Sequence, residues 1–157
     1  MLFFPRGQVV HQQVGIERTS SMEMIIDFPG GARVDAHFGS FTVHTDQPSE
    51  DAGDGSAPTP FDTFLASLGT CAGVYVLGFC RMRGLSAEGI RLVQNTRINP
   101  TTKMIDSISL DIQLPKGFPE KYKAAVIRAA EQCKVKKHFE HPPKISVSTS
   151  VADAARP

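Results

Sequence analysis

The pattern of apolar and polar positions divides the chain into runs of two kinds. From Met22 to Thr45 it alternates in short stretches. Met22, Met24, Ile26 and Phe28 share one face of MEMIIDF, Pro29-Gly30-Gly31 supplies a turn, and ARVDAHF and SFTVHT continue around Gly39. Period-two runs broken by turn residues predict a meander of antiparallel strands. Upstream, GQVVHQQVGIER mixes apolar positions with Gln, and it predicts an arm or edge strand within residues 1–21.

The run changes character at Thr59. Between Asp62 and Arg81 there is no charge, and Leu, Phe, Val, Ala and Gly fill most positions, so a helix here is apolar on nearly every face. Its start is written locally: Thr59 can cap, Pro60 suits the first helical position and Asp62 completes a capping box. Its end is marked by Arg81 and Arg83 in the last turn and Gly84 just beyond, which suit the negative helix end and a left-handed cap.

An uncharged run of about eighteen residues meets the lower bound for a membrane span. Ser67, Thr70, three interior glycines (Gly69, Gly73, Gly78) and the lack of a second such segment favour a buried core helix instead. Glycine inside a helix costs about 1 kcal/mol relative to Ala. The small residues Ala66, Ser67, Gly69, Thr70, Ala72 and Gly73 therefore imply close approach of another backbone, from the chain's own sheet or from a symmetry mate.

Between the meander and this helix, DQPSEDAGDGSAP (46–58) is acidic and rich in Gly, Pro and Ser, and it predicts a solvated loop. Its acids lack the ordered spacing of a calcium loop. Beyond Gly84, IRLVQNTRI and MIDSISLDIQL flank a turn at Asn99-Pro100-Thr101-Thr102, with Ile108, Leu110, Ile112 and Leu114 facing inward. That is a hairpin with one buried face. In PEKYKAAVIRAAEQC, Tyr122, Val126, Ala129, Ala130 and Cys133 form a stripe at helical spacing, predicting a second helix through Cys133, and KISVSTSV predicts a final strand. Strands, long helix, hairpin, helix and strand together predict an α+β domain, antiparallel sheets packed around a long buried helix.

At 157 residues the chain has room for a single domain, 1–157. A net charge of +1, from 17 Lys and Arg against 16 Asp and Glu, gives no reason to expect nucleic acid or an anionic membrane as partner. A small molecule or another copy of the chain fits better. The N-terminal MLFFPRGQVVHQQ lacks the marks of a secretory signal, and three widely spaced cysteines make no disulfide framework. The expected setting is a reducing cytoplasm.

In that setting a cysteine is either a small core residue or a reactive one. Cys71 has small neighbours that leave room for a substrate, and Cys133 has Lys134, Lys136 and Lys137 close in sequence to favour a thiolate. Two packed helices could bring these sulfurs into disulfide range. Cys80, nine residues beyond Cys71, points to the opposite side of the same helix. His138, His141 and Cys133 lack a fourth ligand and a recognised spacing, so no metal is assigned. His11, His37 and His44 fall in predicted strands as sheet residues.

The segment PTPFDTFLASLGTC, followed after the hairpin by EQCKV, resembles the OsmC/Ohr family of thiol peroxidases from about Met22 onward. The resemblance implies an intertwined α+β homodimer with active sites at the subunit interface. It further implies reduction of organic hydroperoxides to alcohols, with Cys71 as peroxidatic and Cys133 as resolving cysteine. No metal or organic cofactor is needed, and a dithiol reductant, in the family typically a lipoylated protein, resets the disulfide. The chain departs from the family pattern at the activating pair: Phe61 stands after Pro60 where better studied members have the Glu that holds an activating Arg, and the motif does not fix which residue is that Arg. Asp62, one place later, is the candidate acid, although nine residues before Cys71 places it on the opposite helix face. Arg33, in a region resembling the Arg-bearing hairpin, is the candidate guanidinium, with Arg18 as fallback. The departure leaves open an OsmC-like dimer that binds an apolar ligand without peroxidase activity, and a structural domain whose cysteines are all core.

Overall fold

A computed structural model describes residues 22–151 of the chain. The arm expected within residues 1–21 lies outside them. Three antiparallel strands, β1 (Ile25–Gly30), β2 (Arg33–Phe38) and β3 (Phe41–Thr45), form the expected meander in sequence order. Gly31 carries the β1–β2 turn at φ 62° and Gly39 the β2–β3 turn at φ 56°, a region that a Cβ disfavours. One face of this sheet is polar: Asp27, Asp35 and His44 lie across from one another. His37 Nε2 pairs with Asp27 and His44 Nδ1 with Asp35, at 3.0 and 2.6 Å. On the other face Ile26, Ala36 and Val43 are in register.

The loop after β3 is more ordered than its composition predicts. Asp46 is 1% exposed, and its carboxylate accepts from the Gln47, Asp54 and Ser56 amides and from the Ser56 hydroxyl. The Ser56 side chain and amide contribute most to a carboxyl pKa lowered to about 2. This knot ties the loop down just before the long helix α1 (Pro60–Met82) begins.

Helix α1 starts and stops where its residues dictate. Thr59 Oγ1 accepts from the Asp62 amide at 3.1 Å, and the Asp62 carboxylate accepts from the Thr59 amide and hydroxyl, so the capping box is complete. At the far end Gly84 adopts φ 64° and the Leu85 amide reaches back to the Cys80 carbonyl at 2.9 Å, the pattern of a Schellman cap. Within the subunit α1 buries one stripe: Leu68, Ala72, Val76, Phe79 and Cys80. Its other faces stay open, with Val74 at 66% exposure and Phe61, Phe64, Tyr75 and Leu77 also exposed. The helix is long and apolar enough to cross a membrane, yet its buried stripe packs on protein.

The hairpin β4 (Arg91–Ile98) and β5 (Ile105–Gln113) lies against that stripe, Leu92, Ile108, Leu110 and Ile112 facing the core. Gln94 reaches from β4 to donate to the Leu65 carbonyl at 3.1 Å. It passes beside Gly69, where an added Cβ would come within 2.9 Å of its amide oxygen. Here at least one small residue of α1 answers to the chain's own sheet.

Two expectations fail in the C-terminal third. The single helix through Cys133 is split into a 3-10 turn (Glu120–Tyr122), α2 (Lys123–Ala130) and α3 (Lys134–Glu140). Val126 of α2 is fully buried against Val76, Phe79 and Cys80. The break falls at Cys133, whose backbone turns out of the helical region at φ −46°, ψ 120°. KISVSTSV forms no strand: it runs without regular structure, with Ile145 and Val147 more than 80% exposed. A strand needs an edge to pair with, and among the described residues no strand of the subunit pairs with this segment. The described chain is thus an α+β fold of antiparallel sheets and a long helix.

Candidate functional site

Cys71 and Cys133 meet at the junction of α1 with α3. They share an apolar cluster with Leu68, Ala72, Ala130 and Val135, and both are free thiols. Cys71 is half-buried, one residue before the buried Ala72, whereas Cys133 is 1% exposed. The sequence brings them together by two devices. The α1 stripe turns the Cys71 side of the helix towards α2 and α3, and the turn after Ala130, closed by Gln132 N–H to Ala129 O and Cys133 N–H to Ala130 O, drops Cys133 onto it.

Cys133 is also the N-cap of α3. Its sulfur accepts from the Lys136 amide at 3.4 Å, the place an oxygen of Ser or Thr usually fills. Its thiol donates to the Leu68 carbonyl of α1 at 3.7 Å. One side chain therefore ends a turn, starts a helix and ties that helix to α1.

The two thiols are driven apart in acidity. Burial pushes the Cys71 thiol up, but the Val135 amide, the Cys133 thiol, and the amide and charge of Lys134 outweigh it and bring the pKa below the ordinary thiol value. Burial raises Cys133, and its Cys71 neighbour adds to that rise against the opposing Lys136 amide. The directions make Cys71 the more acidic thiol of the two, the order suited to a nucleophile with a proton-bearing partner. Cys80, fully buried in the other cluster, is pushed up by burial.

Arg18, the fallback guanidinium, lies outside the described residues, and the other sequence candidates lie away from the cysteines within the subunit. Asp62 spends its carboxylate on the helix cap. Arg33 is exposed at the start of β2, and among the described residues the charge acting on Cys71 is that of Lys134. Sequence reasoning credited Lys134 to Cys133, whereas the Lys134 charge also acts to lower the Cys71 pKa. The cap at Cys133 had no sequence signal, since Cys is not among the usual capping residues. Among the described residues no group of His, Cys, Asp and Glu has the geometry to hold a metal ion.

Beside the sulfurs runs a groove of about 600 Å³, lined by Leu68, Leu110, Ile127, Ala130, Lys136 and Phe139 among others. Leu68 and Ala130 also wall the cysteine cluster. The groove is mostly apolar, with Lys136 paired to Glu140 at 3.6 Å on its rim.

The family description "OsmC-like protein" matches residues 53–148, more than half of the chain and both cysteines. No curated protein sequence matches it. Among solved structures, an osmotic stress induced and detoxification response protein of Psychrobacter arcticus is similar at a TM-score of 0.64 and 19% identity, over 76% of this chain and 90% of that one. An OsmC-like protein of Mycoplasma pneumoniae gives 0.62 and 13%, over 79% and 90%. An organic hydroperoxide resistance protein of Vibrio cholerae, with captopril bound in one of its active sites, gives 0.55 and 14%, over 80% and 90%. At these identities the likeness is one of fold.

Proposed function

Because the chain belongs to the OsmC-like family, we propose that it is a cysteine-based peroxidase that reduces organic hydroperoxides to alcohols through Cys71 and Cys133. The observation that carries this reading is the packing of two free thiols, half-buried Cys71 and buried Cys133, into one apolar cluster at the junction of α1 and α3. The Cys71 thiolate attacks the terminal oxygen of the hydroperoxide, the O–O bond breaks, and the alkoxide leaves as alcohol after taking a proton, leaving a sulfenic acid. The Cys133 sulfur then attacks that sulfur, water departs and a disulfide forms, which protects Cys71 from further oxidation. A dithiol, of the kind carried by a lipoylated protein, returns the disulfide to two thiols. No metal or organic cofactor enters these steps, and the expected setting is the cytoplasm.

A homodimer is part of the proposal. Val74, Tyr75 and Leu77 of α1, with Phe28 and Phe41 of the three-stranded sheet, are large apolar side chains left exposed by the subunit, the kind of surface that marks an interaction site. A second copy covers such surface most economically, by the same patch on both sides of a two-fold axis. Arg33 and Asp62 remain candidates for activating Cys71 from across that interface.

In the direct test, Cys71→Ser loses peroxide consumption, whereas Cys133→Ser completes one turnover and stalls unless an external thiol is added. Continued turnover by Cys71→Ser would end the assignment. The groove beside the cysteines favours one alternative, an OsmC-like dimer that binds an apolar ligand without turnover. On that alternative Cys71 is unreactive towards alkylating reagents at neutral pH.

A further inference from the structure

The hydrogen bonds of Cys133 couple the redox state of the site to the order of α3. In the dithiol state its sulfur holds the first turn of α3 through the Lys136 amide and ties it to α1 through the Leu68 carbonyl. Both bonds depend on the sulfur staying where it is, and the second also needs its proton. Forming a bond to the Cys71 sulfur draws the two sulfurs to about 2 Å and removes that proton with the departing water. A disulfide sulfur donates nothing, so the Leu68 link is lost, and the bond from the Lys136 amide, already long at 3.4 Å, is left to a sulfur held by Cys71 instead of by α1's Leu68 carbonyl.

Little else holds α3. It spans seven residues, too few to stand without tertiary support. Its contacts with α1 run through Val135 in the cysteine cluster, through the Lys134 and Val135 amides beside Cys71, and through Phe139, whose ring lies 5.3 Å from that of Phe64. None of its residues is fully buried, and the segment after it is exposed.

We propose that disulfide formation uncaps α3, and that the loosened helix opens the otherwise buried Cys133 side of the disulfide to the dithiol that must reduce it. The device rests on the two-cysteine reading above. It gives the cycle a direction: the reduced site is closed over a resolving thiol that is 1% exposed, and the oxidised site is open to its reductant. Peroxide enters one form and the reductant meets the other.

The test is hydrogen exchange followed by mass spectrometry on the full chain, reduced and then oxidised with one equivalent of cumene hydroperoxide, the disulfide being checked by peptide mapping. Peptides covering 134–140 should exchange at least about fivefold faster in the disulfide form, the factor that corresponds to a lost cap of ordinary strength, while the β4–β5 hairpin is unchanged. If cumene hydroperoxide forms no disulfide, the peroxidase reading fails by itself. The bond is then made with diamide, which takes two hydrogens from the two thiols and becomes the hydrazine, and the exchange of α3 still decides. A reduced Cys133→Ala variant should show the fast α3 exchange without any disulfide, and Cys133→Ser, whose hydroxyl can cap, should not. Unchanged α3 exchange in the disulfide form, or in reduced Cys133→Ala, overturns the proposal.

Discussion

Replacing Val74 by Glu separates a helix that faces solvent from one that faces a second copy. Within the subunit Val74 is 66% exposed, on the side of α1 away from the buried Leu68–Ala72–Val76 stripe. If that side faced water, the substitution would fall in the ordinary surface range, within about 0.5 kcal/mol. In a two-fold dimer the residue occurs twice. Fully burying a Val is worth about 1.5 kcal/mol at the low end of its range, so covering the two-thirds left open contributes about 1 kcal/mol per copy. Each introduced carboxylate, left without a partner in an apolar contact, costs several kcal/mol more. A combined loss of at least about 5 kcal/mol weakens the dimer more than a thousandfold, at about 1.4 kcal/mol per decade. Light scattering after gel filtration should give the mass of two chains for the wild type and of one for Val74→Glu at micromolar concentration. A wild type of one chain, or a variant that stays at two with unchanged thermal stability, refutes the reasoning.

The acidity of the two thiols predicts their order of reaction. On the reduced protein, iodoacetamide should modify Cys71 with a midpoint below the ordinary thiol pKa of 9.0 and Cys133 with a midpoint above it, read by peptide mapping across pH; the reverse order would remove the basis for the assigned roles. Asp46 predicts a pH-dependent part of the stability. Its folded pKa, about 2, lies below the unfolded 3.8, so its stabilisation is complete above 3.8 and is lost as the pH falls towards 2. Asp46→Asn, which cannot accept all four bonds, should therefore lower the urea midpoint at about pH 5 and lose most of that difference near pH 2. An equal difference at both pH values contradicts the assignment.

Much of this fold was legible in the chain because its signals are local. The Thr59–Pro60–Asp62 start and the Gly84 stop of α1 are read within a few residues, and so are the Gly31 and Gly39 turns and the alternation of Ile108, Leu110 and Ile112. What escaped depends on contacts between distant residues. The helical period of α2 runs on through Cys133 without a Gly or Pro, so the break there is visible only where the sulfur meets the Lys136 amide and the Leu68 carbonyl. Lys-Ile-Ser-Val-Ser-Thr-Ser-Val alternates like a strand, but alternation does not supply an edge to pair with. Asp46 is one acid among several in a polar loop, and its composition does not tell that four donors converge on it. The two cysteines were singled out by residue type and by family likeness. Their shared cluster emerges from three-dimensional packing.

The central claim is that Cys71 and Cys133 work as one redox pair. Its most direct test is a thiol count on the reduced protein after one equivalent of an organic hydroperoxide per chain, with peptide mapping of whatever bond has formed. The account predicts rapid loss of two of the three thiols, a link between Cys71 and Cys133, and Cys80 still free in the core. Three surviving thiols, or a disulfide that includes Cys80, would contradict it.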